Sequence, residues 1–218
     1  KLPADITDET AAAMITKGLT AQYLIHDSHP VGENDAVLVH SAAGGVGMII
    51  SQWAKTFGAH VIGVVSSEEK ATFAIEHGCH DVIISKGEDI GARAKALTGG
   101  EGVTAVFDAV GADTFEASLA ALRPLGRLVA YGSSSGPVPP FDIFRLNEMG
   151  ALSITAGAFY WHMRTADEIK ARAQKLFEIV ASGAVKIEIN QRFDLRDASD
   201  AHRAMESRST FGMTVMTP

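Results

Sequence analysis

Ala42, Gly44 and Gly47, in the run VLVHSAAGGVGMIISQWAKTFG, are spaced as the turn positions of a phosphate-binding fingerprint, with alanine at the first. Small residues there let the chain reverse tightly and bring its backbone close to a diphosphate, and a bulkier side chain at Gly44 would block that approach. A helix expected over roughly Gly45 to Phe57 would aim its unpaired N-terminal amides and positive dipole end at the same phosphates. Ala42, Ala43, Gly44, Gly45, Val46 and Gly47 are therefore the candidate pyrophosphate cradle. About 20 residues beyond the glycines, where a site for an unmodified ribose carries Asp or Glu, the sequence reads Ser66-Ser67, with Lys70 one helical turn later. Hydroxyls can donate to a 2′-phosphate and a lysine can neutralise it, whereas a carboxylate would repel it. The expected cofactor is NADPH rather than NADH, although Glu68 and Glu69 would oppose the phosphate if they turned inward. The same Ser66-Ser67-Glu68-Glu69 also reads as a capping box, in which Ser66 would only start the next helix.

Other residues with chemical potential carry less. Gly132-Ser133-Ser134-Ser135-Gly136 matches a nucleophile elbow, but an elbow runs directly into a helix, which Pro137, Pro139 and Pro140 forbid. His77, Cys79 and His80 cluster, yet zinc patterns pair two such clusters and only one cysteine exists, so no metal site is expected. Asp108 ends a strand near the expected crevice, where a carboxylate either functions or caps the next turn. His26 and His29, on a polar helix end, are expected in solvent. Trp161, His162 and Met163 suit a subunit contact better than a substrate pocket.

The elements that must hold these residues repeat at a steady step. Apolar strand-like runs recur at Val37, His60, Val82, Thr104 and Arg127, in steps of 23, 22, 22 and 23 residues, which is the period of a strand plus a crossover helix. Each run is almost wholly apolar, as strands covered on both faces are. The fold expected is α/β, a doubly wound parallel sheet of the Rossmann type. A sixth run, Ala151 to Ala158, would form an exposed edge, and a two-fold partner offering the same strand would cover it, so a homodimer through 151–158 is expected. Flanking the sheet, Asp5 to His29 reads as one or two helices, with one candidate over Thr7 to Lys17. A helix is expected from Thr165 to Ala181, a strand over Val185 to Ile189, a short helix near Ser199 to Ser207, and a last strand over Gly212 to Thr217. The organisation expected is a helical connecting segment at 1–30, a dinucleotide-binding domain at 31–160, and a C-terminal appendage at 161–218. The last two strands have no place in the parallel sheet, so they must pair with each other, with a neighbour, or with a domain absent here.

Composition narrows the classes. A formal charge of −7 with scattered basic residues argues against a nucleic-acid surface. A single cysteine excludes an internal disulfide framework and fits a cytoplasmic setting. The uncharged run Ala36 to Ala54 holds glycines, His40, Ser41 and Gln52 and makes a poor membrane span, so no membrane association is expected. The chain opens on Lys1 and reads as a piece of something longer.

KGLTAQYLI, VLVHSAAGGVGMIISQWAKTFGAHVIGVVSSEEK, LTGGEGV, FDAVGADTFEASLAALRPLGRLVAYGSSSGPVPPF and ESRSTFG together resemble the NADPH-dependent quinone oxidoreductases, the zinc-free, zeta-crystallin-like medium-chain dehydrogenases/reductases. The resemblance implies a parent with an N-terminal catalytic domain missing here and the cofactor lying between the domains. It implies hydride transfer from NADPH to a quinone or similar conjugated carbonyl, with no indispensable catalytic acid or base. Residue by residue, it places Lys17 and Thr20 near the cofactor, Ala43 to Val46 at the pyrophosphate, and Ser66 and Lys70 at the 2′-phosphate. Tyr131, Gly132 and Ser133 fall beside the nicotinamide half, and Arg208 near the cofactor. Two departures stand out: Ile84-Ser85-Lys86 where relatives commonly read INY, and YGSSSG where they often read FGNSSG. Rival readings are an enoyl reductase, a zinc alcohol dehydrogenase parent, and a nucleotide-binding module without turnover.

Overall fold

Six parallel strands form the centre of the molecule: β1 (Ala36–His40), β2 (His60–Val65), β3 (Asp81–Ile84), β4 (Val103–Asp108), β5 (Leu122–Ala130) and β6 (Ser153–Ala156). The computed structural model describes residues 2–4, 6–207 and 209–218. The strand order is β3-β2-β1-β4-β5-β6, so the winding reverses between β1 and β4. Strand residues alternate between two cores. Val37, Val39, Val61, Val65, Ala105 and Phe107 face one side, and Leu38, Ile62, Val64, Ile83, Val106 and Leu128 the other. This alternation is why the strands read as unbroken apolar runs.

On the first face pack α1 (Asp8–Tyr23), α2 (Gly45–Thr56), α3 (Glu68–Glu76) and α8 (Ala166–Ala181), through residues such as Met14, Ile49, Phe73 and Leu176. The second face is covered by α4 (Ile90–Leu97) and α5 (Phe115–Ala121), with Phe141, Leu146 and Met149 from the segment around α6 (Arg145–Glu148). A short α7 (Phe159–His162) precedes α8. Thr165 caps α8 in a full capping box with Glu168, so this helix starts where its sequence says. Ser67, not Ser66, caps α3, its hydroxyl accepting from the Lys70 amide at 3.4 Å.

At the N-terminus, Thr7 caps α1, which runs past the expected end at Lys17 and closes in a π-helical turn over Leu24–Ser28. The two histidines there are not in solvent. His29 is half-buried against Asp35, 3.2 Å away, and the His26 Nε2 is buried without a hydrogen-bond partner, its ring edge-on to Trp53 and Phe57 at 5.4 Å each.

Downstream, β7 (Ile189–Asp194) and β8 (Met213–Thr217) form a separate parallel pair with α9 (Ala198–Glu206) between them. The expected strand over Val185 to Ile189 therefore sits too early. The reason is Gln52, whose side-chain amide accepts from the Lys186 amide at 2.9 Å and donates to the Lys186 carbonyl at 3.0 Å, satisfying that backbone without a strand partner. Among the described residues no helix is long and apolar enough to cross a membrane.

Candidate functional site

β1 ends at His40, and the chain turns at once. Ser41 takes a left-handed backbone, φ 53°, and its carbonyl accepts the Gly44 amide at 2.8 Å. Helix α2 starts at Gly45 with Gly44 as its N-cap, and the Met48 amide bonds the Gly44 carbonyl at 2.8 Å. The amides of Gly45, Val46 and Gly47 thus precede the first intrahelical donor and point out of the helix start, as at any helix N-terminus. A Cβ on Gly47 would lie 2.4 Å from the Ser41 carbonyl oxygen and 2.9 Å from the Ala42 Cα, so this glycine lets helix and strand pack. Gly44, with φ −83°, would place a Cβ 3.1 Å from that oxygen, with its other surroundings open.

A cavity of about 780 Å³ opens over this turn. It lies at the carboxyl ends of the strands, where the order reverses between β1 and β4, the position at which open α/β sheets take ligands. Its walls include His40, Ser41, Ala43 and Gly44 from the first turn, Ser66 and Lys70 from the end of β2 and the start of α3, and Ser85 beyond β3. Ser66 is exposed to the cavity because Ser67 has taken the capping role. Burial pushes the Lys70 ammonium below its ordinary lysine value, with Glu69 opposing that shift.

The remaining candidate residues surround the cavity less directly. Ala42 is buried beneath the turn, its amide bonded to the Val64 carbonyl at 3.2 Å. The aliphatic stem of Lys17 crosses the start of α2, where a Cβ on Gly45 would meet its Cδ at 2.5 Å, and burial pulls its ammonium below the ordinary value. Thr20 donates its hydroxyl to the Thr16 carbonyl within α1, at 2.8 Å. Tyr131 follows β5, its amide bonded to the Asp108 carbonyl at 2.8 Å, and burial drives its phenol upward, with smaller contributions from Asp108 and Tyr23. Gly132 lets two loops meet, since a Cβ there would lie 2.7 Å from the Ala109 carbonyl oxygen. Ser133 accepts the Gly136 amide through its carbonyl at 2.9 Å. Arg208 lies outside the described residues.

GSSSG forms a turn with no helix behind it: the Ser134 and Ser135 amides bond the carbonyls of Ala109 and Val110 at 3.2 and 2.8 Å. Asp108 caps the loop that follows it. Its carboxylate accepts from the amides of Val110 at 2.7 Å and Gly111 at 3.3 Å, and from the hydroxyls of Thr114 at 2.8 Å and Ser118 at 2.7 Å. The Cys79 thiol is buried and pushed up to about 11 by that burial. Among the described residues no group of three or more His, Cys, Asp and Glu could hold a metal ion. Tyr160 and Trp161 stand 84% and 76% exposed, while Met163 is buried.

Several wall residues carry no signal of their own in the sequence. Val110, Asp113 and Thr114 follow β4, and Ser134 follows β5; placing them required the strand order. His202, Met205, Glu206 and Thr210 come from α9 and the segment after it. They reach the cavity because the chain returns to the glycine turn, the Gly212 amide bonding the Ala43 carbonyl at 2.8 Å.

Comparison with known proteins agrees with this geometry. Residues 45–178 match the family model described as zinc-binding dehydrogenase. The chain is 42% identical to a quinone oxidoreductase of Salmonella typhimurium, over all of this chain and 67% of that protein. It is 41% identical to a 2-haloacrylate reductase of a Burkholderia species, over 98% of this chain and 65% of the relative. A mycobacterial protein solved in complex with NADPH superimposes with a TM-score of 0.97 at 44% identity, over all of this chain and 68% of that one. With a parallel sheet wound in this order, a glycine turn at its reversal and likeness along its whole length, the chain belongs to the zinc-binding dehydrogenase family, among its quinone oxidoreductases.

Proposed function

We propose that this chain binds NADPH across the cavity at the ends of β1, β2 and β4, as the cofactor-binding part of an enzyme that reduces a quinone or similar conjugated carbonyl. The observation that carries the reading is the meeting of three features at one cavity: the Ala43 to Val46 turn, the start of α2, and the Ser66 and Lys70 pair. The residues suit the cofactor. Gly44, lacking a side chain, leaves room for a diphosphate where the amides of Gly45, Val46 and Gly47 point, and Lys17 adds positive charge beside them. Ser66 and Lys70 hold the 2′-phosphate, and Tyr131, Gly132 and Ser133 border the nicotinamide half; Arg208 belongs with the cofactor contacts on the resemblance alone. Bound there, NADPH supplies a hydride to a flat, electron-poor acceptor, and solvent supplies the proton. The chain's own residues orient and enclose, and none is required as acid or base.

In this reading residues 31–160 are the dinucleotide-binding domain, 1–30 connect into it, and 161–218 return toward a catalytic domain within the third of the relatives' length that this chain does not cover. The chain alone binds NADPH without turnover. The protein works in the cytoplasm and pairs through the edge strand β6, where Ile154 is 37% exposed; sedimentation at increasing concentration measures that pairing.

Fluorescence titration with NADPH and NADH, and quinone-dependent NADPH oxidation by the chain alone and by a protein carrying the remaining length, test the proposal. NADPH-selective binding with turnover only in the longer protein is expected; failure to bind NADPH refutes it. The 41% identity to a 2-haloacrylate reductase favours a second reading, reduction of an activated carbon–carbon double bond. Steady-state comparison of quinones with haloacrylates and enoyl thioesters decides between the two.

A further inference from the structure

One buried polar chain lies directly behind the cavity. His40, the last residue of β1 and 1% exposed, places its Nε2 2.9 Å from the hydroxyl of Ser118, a fully buried residue of α5. That hydroxyl donates to Asp108 Oδ2 at 2.7 Å, so the hydrogen between Ser118 and His40 comes from the imidazole, and His40 carries a proton on Nε2. Burial pulls the His40 proton affinity down, with Asp108 opposing. Asp108 in turn collects the Val110 and Gly111 amides and the Thr114 hydroxyl. The loop so gathered is bonded to the next one: Ser134 to Ala109, Ser135 to Val110, Ala112 to Gly136. His40 and Thr114, at either end of the chain, both reach the cavity wall.

A carboxylate buried at the end of a central strand is an expensive cap for one loop. Ser118 is also placed to do more than support α5, since the atom it connects to Asp108 belongs to the residue that opens the glycine turn. The series Gly44 turn, His40, Ser118, Asp108, loop 109–111, loop 132–136 runs from the pyrophosphate cradle to the residues assigned to the nicotinamide half. Ser66, Lys70 and Ser85 line the cavity on the other side of the reversal, beyond the ends of β2 and β3.

We infer that His40, Ser118 and Asp108 are positioning residues that fix the 109–111 and 132–136 loops relative to the glycine turn, and so set where the nicotinamide half of the cofactor lies without contributing to its adenosine half. The inference rests on the cofactor reading above. A ligand pair separates the two: NADPH spans both halves, whereas 2′,5′-ADP carries only the adenosine half and its phosphates. Wild-type protein is expected to bind both. Ser118→Ala is expected to weaken NADPH by about tenfold or more while 2′,5′-ADP binding stays unchanged. His40→Leu should behave the same way, and His40→Gln, which keeps a donor toward Ser118, should restore NADPH binding. If Ser118→Ala does not fold, Thr114→Val removes another donor to Asp108 from a partly exposed position and carries the same test. Equal losses for both ligands, as general destabilisation would produce, or undiminished NADPH binding in folded variants, overturn the inference. Wild-type protein that binds neither ligand refutes the cofactor reading, and this one with it.

Discussion

Two glycines three residues apart in one turn should fail in different ways when each gains a methyl group. At Gly47 the added Cβ would sit 2.4 Å from the Ser41 carbonyl oxygen, 2.9 Å from the Ala42 Cα and 3.0 Å from the Ser41 carbonyl carbon. All three neighbours are backbone of the turn itself, so none can rotate away; either α2 lifts from β1 or the turn opens. Forcing a methyl group into such a site costs about 1–3 kcal/mol, and for a chain of this size each kcal/mol lowers Tm by about 2–4 °C. At Gly44 the closest atom is the same oxygen at 3.1 Å, the next is the Ser41 Cβ at 3.9 Å, and φ is −83°, which alanine adopts without strain. The reduced freedom of the unfolded chain favours alanine by about 0.4–1 kcal/mol, enough to offset the mild contact. Gly44→Ala should therefore leave Tm within about 2 °C yet weaken NADPH about tenfold or more, because the methyl group occupies the space the diphosphate needs. Gly47→Ala should lose stability first. Circular dichroism melts without ligand, followed by NADPH titration of each folded variant, measure both effects. Gly44→Ala with a lowered Tm and normal NADPH affinity, or Gly47→Ala with an unchanged Tm, would refute the assignment of roles to the two positions.

Ser66→Asp places a carboxylate on the cavity wall beside Lys70 and should shift the preference from NADPH toward NADH by about 1–3 kcal/mol; parallel titrations check this, and an unchanged ratio moves the 2′-phosphate elsewhere. Burial lowers the proton affinity of His26, His29, His40 and His80 in the folded chain. The unfolded chain then binds more protons below about pH 6.5, so their contribution is complete above that pH and lost as pH falls through and below it. Urea unfolding between pH 5 and 8, a window of about three units around the ordinary histidine value, should show this slope. It should flatten in His26→Phe, where an apolar ring replaces a buried, unpartnered Nε2. Cys79, its thiol pushed up to about 11, should resist thiol reagents at neutral pH in the native state and react once denatured; rapid native reaction would contradict its burial.

How much was legible in the residues followed from how local each signal was. The β1 to β2 unit declared itself because strand, glycine turn and amphipathic helix are contiguous, and the structure starts α2 at Gly45 as its spacing demands. The regular step from Val37 to Arg127 predicted parallel winding for a similar reason: each crossover closes within one repeat. Errors appeared where a distant group decided a local matter. Gln52 satisfies the backbone of Lys186 across 134 positions and delays β7. His26 was expected in solvent on a polar helix end, but Trp53 of α2 and Phe57 just after it pack edge-on against its ring. Whether Asp108 capped or functioned was left open in the sequence because its partner Ser118 lies 10 positions away on α5, and Ser118 in turn bonds His40 on β1 across 78 positions.

The C-terminal segment makes the same point about the site itself. Nothing in the spacing of His202, Met205, Glu206 and Thr210 marks them as cavity residues, yet they wall the same cavity as Ser66, Lys70 and Ser85. They are brought there by a single return of the chain. Gly212, at φ 66°, bonds Ala43 through its amide and forms a bridge to Gly44, and Met213 then packs against the start of α2. A Cβ on Gly212 would overlap the Asn190 side chain, so the return needs glycine both for its backbone conformation and for its space. The turn proposed to receive the diphosphate is thus held from two sides, by β1 through its own sequence and by the end of the chain through Gly212. A cofactor that presses on the turn presses on both. The cavity is a property of the folded tail as much as of the glycine fingerprint, which is why the fingerprint alone pointed to the turn but not to the walls.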